Sequence, residues 1–478
     1  MNQDFFFFLQ PTSVVLYGVS RQVGKTGFFI ATNMLSYNPK YLYVIHPTAE
    51  EVHGITCKKK LADLPEEIRN NIDLAIISVP IAYVINSVIE CIHHHVKGII
   101  IGSGDLGFTE EEIRNNREKI HEALSHQPTP KTRIIGPNAL GVFNNENRFF
   151  TAIMTMKQYP PFGKSAVSII GQTGLMVSGY LTDFFEHKDI AISKIFAIGN
   201  KFDINECDIL ELLLEDSNTK VIAMYLESII EGTRFYRLCK KGINEKGKII
   251  VLLKPGKSII AKNAIMSHTQ SIAGNTEIIR GMCSQLGIIQ VDDLQEFIQA
   301  CKLAANIPLP KGNSAGLVSI SGAGCVLLAD LADEYQFAIK PLSKTIIQQL
   351  KRIFPEWANI SHPLDIWASI EQHQTSSYNV VLESFLSSKS FDFIIICNIG
   401  GVRTDVDFEY IRELRKKYPT IPIILQLFGG FQAKKSLFSS EFEQVNSDYY
   451  IPVVYDLSRT MKILSKMVRL SKKLVQNC

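Results

Sequence analysis

Charge of one sign is what this sequence lacks first. Across 478 residues, 50 Lys and Arg stand against 47 Asp and Glu, leaving +3. So balanced a chain is not built to grip nucleic acid or another polyanion. A cysteine framework is also missing. The nine cysteines (57, 91, 207, 239, 283, 301, 325, 397 and 478) form no CxxC pair and no regular spacing. That excludes a disulfide scaffold of the secreted type and a cysteine zinc site, and no metal is expected. The run Phe5-Phe6-Phe7-Phe8-Leu9 follows Asp4, has no basic flank and is too short to span a bilayer. It reads as a segment docking into the first domain of a cytoplasmic protein, with no membrane partner.

What the sequence does have is core: 46% of residues are hydrophobic, with 27 Phe and 16 Tyr. Three segments open alike, with an apolar strand, a glycine turn and a helical pattern. They are Ser13 to Gly18, Ala166 to Gly171 with Gln172-Thr173-Gly174, and Gly316 to Gly322 with Ala323-Gly324. Glycines 18, 171 and 322 lie 153 and 151 residues apart, one α/β domain each. Breakers separate them at Tyr159–Gly163 and Pro308–Asn313. The expected domains are 1–158, 164–306 and 313–478. Runs such as Leu74–Val79, Val221–Leu226, Ile249–Leu253 and Phe393–Ile396 are continuously apolar. Such strands are buried on both faces, in parallel sheets with helices on either side. Ligands of such sheets sit beyond the carboxyl ends of the strands, so each glycine turn is a candidate anion site or else an ordinary tight turn.

Two familiar readings of the first turn fail. A Walker A loop needs four residues between its Gly and Gly-Lys-[Ser/Thr], whereas Gly18 to Gly24-Lys25-Thr26 has five. A nicotinamide site wants an acidic residue after the second strand, and here Tyr41–Ile45 ends in His46-Pro47. A different nucleotide-bearing ligand fits better. His93-His94-His95 would point in different directions on a helix and make a poor metal set. Leu457, Met461, Leu464 and Val468 recur at helical spacing beside Lys462, Lys466, Arg469, Lys472 and Lys473. This predicts a final amphipathic helix on the third domain with a solvated basic face.

Several motifs in order carry a resemblance. Gly18-Val-Ser20-Arg21, "HPTAEEVHG" (46–54), "ISVP" (77–80) and "IIGPNALG" (134–141) resemble the coenzyme A-binding domain of succinyl-CoA synthetase α subunits. "GQTG" (171–174), "AIGNKFDINECDIL" (197–210), "MYLESI" (224–229) and "MSHTQSIAG" (266–274) are similar to its ligase domain. "SGAG" (321–324), "HPLDI" (362–366) and "CNIGGVRTD" (397–405) resemble the domain that succinyl-CoA synthetase carries on its β subunit. Taken together they look most like the α chain of NDP-forming acyl-CoA (acetyl-CoA) synthetases. The fold implied is α/β: a Rossmann-like coenzyme A-binding domain followed by two flavodoxin-like, succinyl-CoA ligase-like parallel-sheet domains.

The resemblance implies an acid–thiol ligase: acyl-CoA, phosphate and NDP exchange with carboxylic acid, CoA and NTP through an acyl phosphate and a phosphohistidine. His268 matches the histidine, expected in a loop between the strand ending near Lys254 and a helix starting near Asn275. A ring nitrogen carries a phosphoryl group well because it divides one hard transfer into two easier ones. Glu227, at a strand's carboxyl end, is implied to accept a hydrogen bond from the other imidazole nitrogen. Gln172, Thr173 and Gly174, with Gly322, Ala323 and Gly324, are implied to cradle the phosphate at two helix starts. Gly18, Ser20, Arg21, Lys25, Pro80, Asn138 and Asn200 are implied contacts for coenzyme A or the thioester. No segment remains for an ATP-grasp module, so ADP or ATP and magnesium are expected on a separate ATP-grasp β subunit in a hetero-oligomer. Departures are Gly171 and Thr173 in the ligase helix, Gln270 for a usual Gly, Ala139 for a common Cys, and Thr48 for a Lys. They motivate an alternative, a catalytically degenerate CoA or acyl-CoA binding protein of the same fold.

Overall fold

The computed structural model describes residues 3–155, 166–180, 184, 190–269, 275–373, 376–399, 406–428 and 451–477. The chain divides into two compact units. One comprises Met1–Glu186, Ala191–Lys248 and Leu253–Ile279; the other comprises His187–Ile190, Ile249–Leu252 and Arg280–Cys478. The architecture is α/β with parallel-dominated sheets, as the apolar runs predict.

In the first unit, β1 (Ser13–Tyr17), β2 (Tyr41–Ile45), β3 (Glu51–Val52), β4 (Ile55–Lys58), β5 (Leu74–Ile77), β6 (Gly98–Ile101) and β7 (Arg133–Ile135) form one sheet. Its order is β3-β4-β2-β1-β5-β6-β7, parallel throughout except the β3–β4 hairpin. Every residue of β1, β5 and β6 is buried, which is why no polar alternation shows in their sequences. The helix Ile81–His93 buries Val84, Val88, Cys91 and Ile92, a helical stripe of the kind that covers a sheet. At the opposite, amino end of the strands Asp73 accepts bonds from Thr12 N, Thr12 Oγ1 and Lys97 Nζ. The phenylalanine run docks as expected. Phe8 is fully buried, a side chain at Gly98 would strike the Phe7 ring, and Asn144 and Asn147 donate to Leu9 O.

The same unit holds a second set of strands: β8 (Gly141–Asn144), β9 (Phe149–Phe150), β10 (Val167–Gly171), β11 (Ile192–Ala197) and β12 (Val221–Tyr225). They run in the order β12-β10-β11-β8-β9. β10 is parallel to β11 and β12, while β8 pairs antiparallel with β11. Residues 141–150 therefore leave the first sheet and edge the second, a crossing no local pattern announces.

In the second unit β15 (Ala315–Ser319), β16 (Leu364–Asp365), β17 (Phe393–Ile399), β18 (Ile423–Phe428) and β19 (Val453–Val454) form a fully parallel sheet, ordered β16-β15-β17-β18-β19. The helix Leu457–Asn477 packs on the helix Leu294–Asn306 through buried Met461, Leu464 and Val468. Its basic face is not simply solvated, contrary to expectation. Lys462 and Lys466 both bind Glu296, at 2.9 and 2.8 Å, and Lys473 donates to Gln285 O. The reason is Glu296 itself: it is 1% exposed, and a carboxylate so buried needs cations. Glu296→Ala strands the Lys466 ammonium, and we expect a loss of about 3 kcal/mol in urea unfolding followed by a probe in this unit.

Candidate functional site

The site is built where strands end and backbones crowd. Gly18 closes β1 with φ +81°, and a Cβ there would overlap the carbonyl oxygen of Ser78, just past the end of β5. Ser78 N in turn donates to Tyr17 O at 3.0 Å. The contact demands glycine twice over, through the left-handed backbone and through the missing side chain. Next along, Ser103 Oγ donates to Val79 O at 2.6 Å, and Asn138 N donates to Ser103 O at 2.8 Å. Asn200 N donates to Pro137 O at 2.8 Å, and Phe202 N to Gly136 O at 2.9 Å. One unbroken chain of contacts thus brings Gly18, Pro80, Asn138 and Asn200 together at the carboxyl edge. Pro80 and Asn138 are exposed there, and Asn200 Oδ1 is buried with no hydrogen-bond partner among the described residues.

The first loop is held open. Arg21 donates to Glu51 O at 3.0 Å, and the His53 ring meets Ser20 O at 2.7 Å. Both Arg21 and Lys25 are exposed. Lys25 stands before the helix Thr26–Tyr37 and makes no side-chain cap, so its ammonium is left to the solvent or a ligand phosphate. His46, where an acidic ribose ligand was sought, accepts bonds at Nδ1 from Thr48 N and Ala49 N.

From Asn200 the chain of contacts continues into a buried ionic knot. Lys201 Nζ binds Glu206 Oε2 and Ser228 O, both at 2.8 Å, with the lysine and glutamate side chains 1% and 0% exposed. Burial pushes the Lys201 ammonium below its ordinary range, and Glu206 opposes that shift. Glu227, just past β12, is buried. Gln172 Oε1 accepts from Glu227 N at 2.8 Å and Ser228 N at 3.0 Å, while Gln172 Nε2 donates to Ser228 Oγ. The Gln172 side chain therefore shapes the turn that carries Glu227, and Gln172 N donates to Tyr225 O at 2.9 Å, so this residue acts on the turn with both its side chain and its backbone. Lys254 Nζ donates to Glu227 O at 2.6 Å and Pro255 O at 3.0 Å. Sequence reasoning missed Lys201, Lys254 and Ser103. Lys201 follows the Gly-Asn pair and Lys254 ends an apolar strand, but nothing in the sequence marks either as buried.

Thr173 Oγ1 accepts from Leu175 N at 3.2 Å, beginning the short helix Leu175–Ser178. His268 is not in a loop, as expected; its backbone lies in the last turn of the helix Ile259–Thr269. Residues 259–269 contain neither Gly nor Pro, and Ser258 Oγ caps the helix by accepting from Ala261 N, so the helix runs on. The side chain of His268, and Gln270 altogether, lie outside the described residues.

The second unit carries the third glycine turn. Ser319 Oγ accepts from Ser321 N and donates to Ser321 O, and a Cβ at Gly324 would overlap that hydroxyl. The helix Gly322–Glu334 then starts with no side-chain cap from Ser321, which leaves first-turn N–H groups suited to an anion among the described residues. Asp365 Oδ2 stands 3.3 Å from where a Gly322 Cβ would be, so this cradle has a carboxylate at its rim. Among the described residues no group of three His, Cys, Asp or Glu could hold a metal ion. No disulfide joins any of the eight described cysteines, and no described helix is long and apolar enough to cross a membrane.

Comparison with known proteins fits this layout. Residues 9–103 match the family described as CoA binding domain, and residues 164–304 the family described as Succinyl-CoA ligase like flavodoxin domain. The Acetate--CoA ligase [ADP-forming] II of Archaeoglobus fulgidus is 31% identical over 99% of this chain and 68% of its own length. The chain belongs to the ADP-forming acetate–CoA ligase family. The α subunit of the Pyrococcus furiosus enzyme II is 29% identical to this ligase-family chain over 90% of it and 91% of the subunit. In fold the ligase-family chain matches the dinucleotide forming Acetyl-coenzyme A synthetase 1 of Ca. Korarchaeum cryptofilum, solved with phosphate and ADP. The TM-score is 0.84 at 24% identity, covering 100% of this chain and 99% of that one.

Two outcomes follow for this ligase-family chain. Gly18→Ala puts a methyl group into the Ser78 carbonyl, and we expect calorimetric coenzyme A affinity to fall at least tenfold, about 1.4 kcal/mol. Lys254, mostly buried, has its pKa pushed down from 10.5 to about 8 by burial and by Lys201, while Glu227 pulls the other way. Between those two values the unfolded chain holds a proton that the folded chain has lost. Wild-type stability should therefore rise with pH from about 8 to 10.5 relative to Lys254→Met, read by urea unfolding at each pH.

Proposed function

We propose that this chain is the coenzyme A- and phosphohistidine-bearing subunit of an NDP-forming acyl-CoA synthetase. Phosphate attacks the thioester carbonyl of acyl-CoA, and coenzyme A leaves as the thiol, giving an acyl phosphate. An imidazole nitrogen of His268 then attacks phosphorus, the carboxylate leaves, and an NDP finally takes the phosphoryl group to become NTP. The observation that carries this reading is the buried Glu227 turn, joined to the Gly18 edge by a run of backbone contacts and the Ser103 and Lys201 side-chain hydrogen bonds. That edge offers close backbone approach and exposed Arg21 and Lys25 for the phosphates of coenzyme A. A carboxylate such as Glu227 suits an imidazole N–H, fixing its tautomer and stabilising the charge that builds on the ring.

The names of the relatives support ADP as the acceptor and a paired subunit. In this reading the nucleotide and magnesium lie on a separate ATP-grasp chain, and the helix bearing His268 moves its end between the two centres. The domains are 1–158, 164–306 and 313–478. The setting is the cytoplasm.

The test is intact-protein mass after incubation with phosphate, magnesium and a panel of short and aromatic acyl-CoAs. One phosphoryl adduct, labile to acid, stable to alkali and absent in His268→Ala, is the expected result. Coenzyme A binding without any adduct, even with an ATP-grasp partner added, would leave the binding-protein alternative in its place.

A further inference from the structure

The synthetase chemistry proposed for this chain assigns Lys254 no role. Its surroundings do. The strand β13 (Ile249–Leu253) ends at Leu253, whose carbonyl accepts from Leu226 N at 3.1 Å. One residue later the regular ladder stops, because the chain turns at Pro255-Gly256 and Pro255 has no N–H to give. Two carbonyls are left at this point, Glu227 O on one side and Pro255 O on the other. The Lys254 ammonium reaches both, at 2.6 and 3.0 Å, and is 5% exposed.

We propose that Lys254 is a positioning residue that fixes the Glu227 turn against the root of the His268-bearing segment; this rests on the function proposed above. Gln172 holds the same turn by its N–H groups and Lys201 holds it at Ser228 O, so the turn is gripped from three directions. Of the three, the Lys254 grip is the one that comes from the chain that continues through Ser258 into the helix Ile259–Thr269, and it adds to the Leu226–Leu253 bond one residue back. Two carbonyls facing one buried point need a donor that can serve both, and a charged donor makes hydrogen bonds about twice as strong as a neutral one. Burying that charge is costly, which explains why a neutral side chain would be favoured here if holding the fold were the whole task.

The charged groups around Lys254 are Lys201 and Lys262, which disfavour its proton, and Glu227, which favours it. Burial is the largest influence, and together they bring the ammonium to about 8. As pH rises through this value the cation is lost and the charged hydrogen bonds weaken. The phosphorylation half-reaction should then slow on an alkaline limb near pH 8. Lys254→Arg keeps its charge well above that pH, so its limb should move up by more than one unit.

Two measurements test this on the full chain. The first is hydrogen exchange by mass spectrometry over the peptide around residues 224–230. Lys254→Met should exchange at least tenfold faster there than wild type, and Lys254→Arg should restore protection. The second is the rate of phosphohistidine formation against pH. Lys254→Met should be at least tenfold slower at pH 7 and should lack the limb. Unchanged exchange in Lys254→Met overturns the proposal whatever the activity. Faster exchange with a wild-type rate and limb also overturns it, reducing Lys254 to a fold-holding lysine. If wild type itself forms no adduct, the proposed function falls, while the exchange result still decides whether Lys254 holds the Glu227 turn.

Discussion

Unmet backbone groups at the ends of parallel strands are the constraint on which the rest of this molecule depends. A parallel sheet satisfies its own interior, but each strand's carboxyl end hands its last carbonyls and N–H groups to loops. Here those groups are met inward, by one another and by a few buried polar side chains. Ser103 takes Val79 O, Gln172 takes the N–H groups of Glu227 and Ser228, and Lys201 and Lys254 take the carbonyls of Ser228 and Glu227. The arrangement stiffens loops that would otherwise be mobile, and stiff loops hold a ligand site at low entropic cost.

Two buried lysines in one neighbourhood are expensive, and the fold handles them differently. Lys201 has a fully buried carboxylate partner, Glu206, whose other oxygen accepts from Ile230 N. Among the described residues Lys254 has carbonyls as direct partners and a carboxylate, Glu227, acting through space. The first is a closed ion pair of the kind that specifies a fold. The second is a cation held in tension, with its proton loosened into the range where biological pH can matter. Glu296 in the second unit shows the converse, a buried carboxylate closed off by Lys462 and Lys466.

The glycine turns follow the same economy of space. At Gly18 the backbone of one strand end touches that of the next, with no room for a side chain. At Gly324 the Ser319 hydroxyl occupies the place of a Cβ. In both, the missing side chain lets polar backbone come within reach of another group, whether that group belongs to the protein or to an anion.

Much of this was legible in the sequence. Apolar runs without alternation mark strands covered on both faces, and β1, β5, β6, β10, β12 and β15 stand where those runs are. The spacing of glycines 18, 171 and 322 marks the three strand-to-helix turns, and motif order marks the family. Helical spacing found Leu457–Asn477 but misjudged its lysines, because a sequence shows a basic face and not the buried Glu296 that it covers. His268 was expected in a loop between the strand ending near Lys254 and a helix starting near Asn275, whereas residues 259–269 hold neither Gly nor Pro and the Ser258 cap lets a helix run through them. The sequence by itself determined local matters: strand, turn and helix identity, and which residue types are available to bind. Only the tertiary structure decided that residues 141–150 join the second sheet, that Gln172 faces the Glu227 turn, and that Lys201 and Lys254 are buried. These depend on contacts between positions tens of residues apart, and the burial that gives a charge its chemistry is a property of the packed chain.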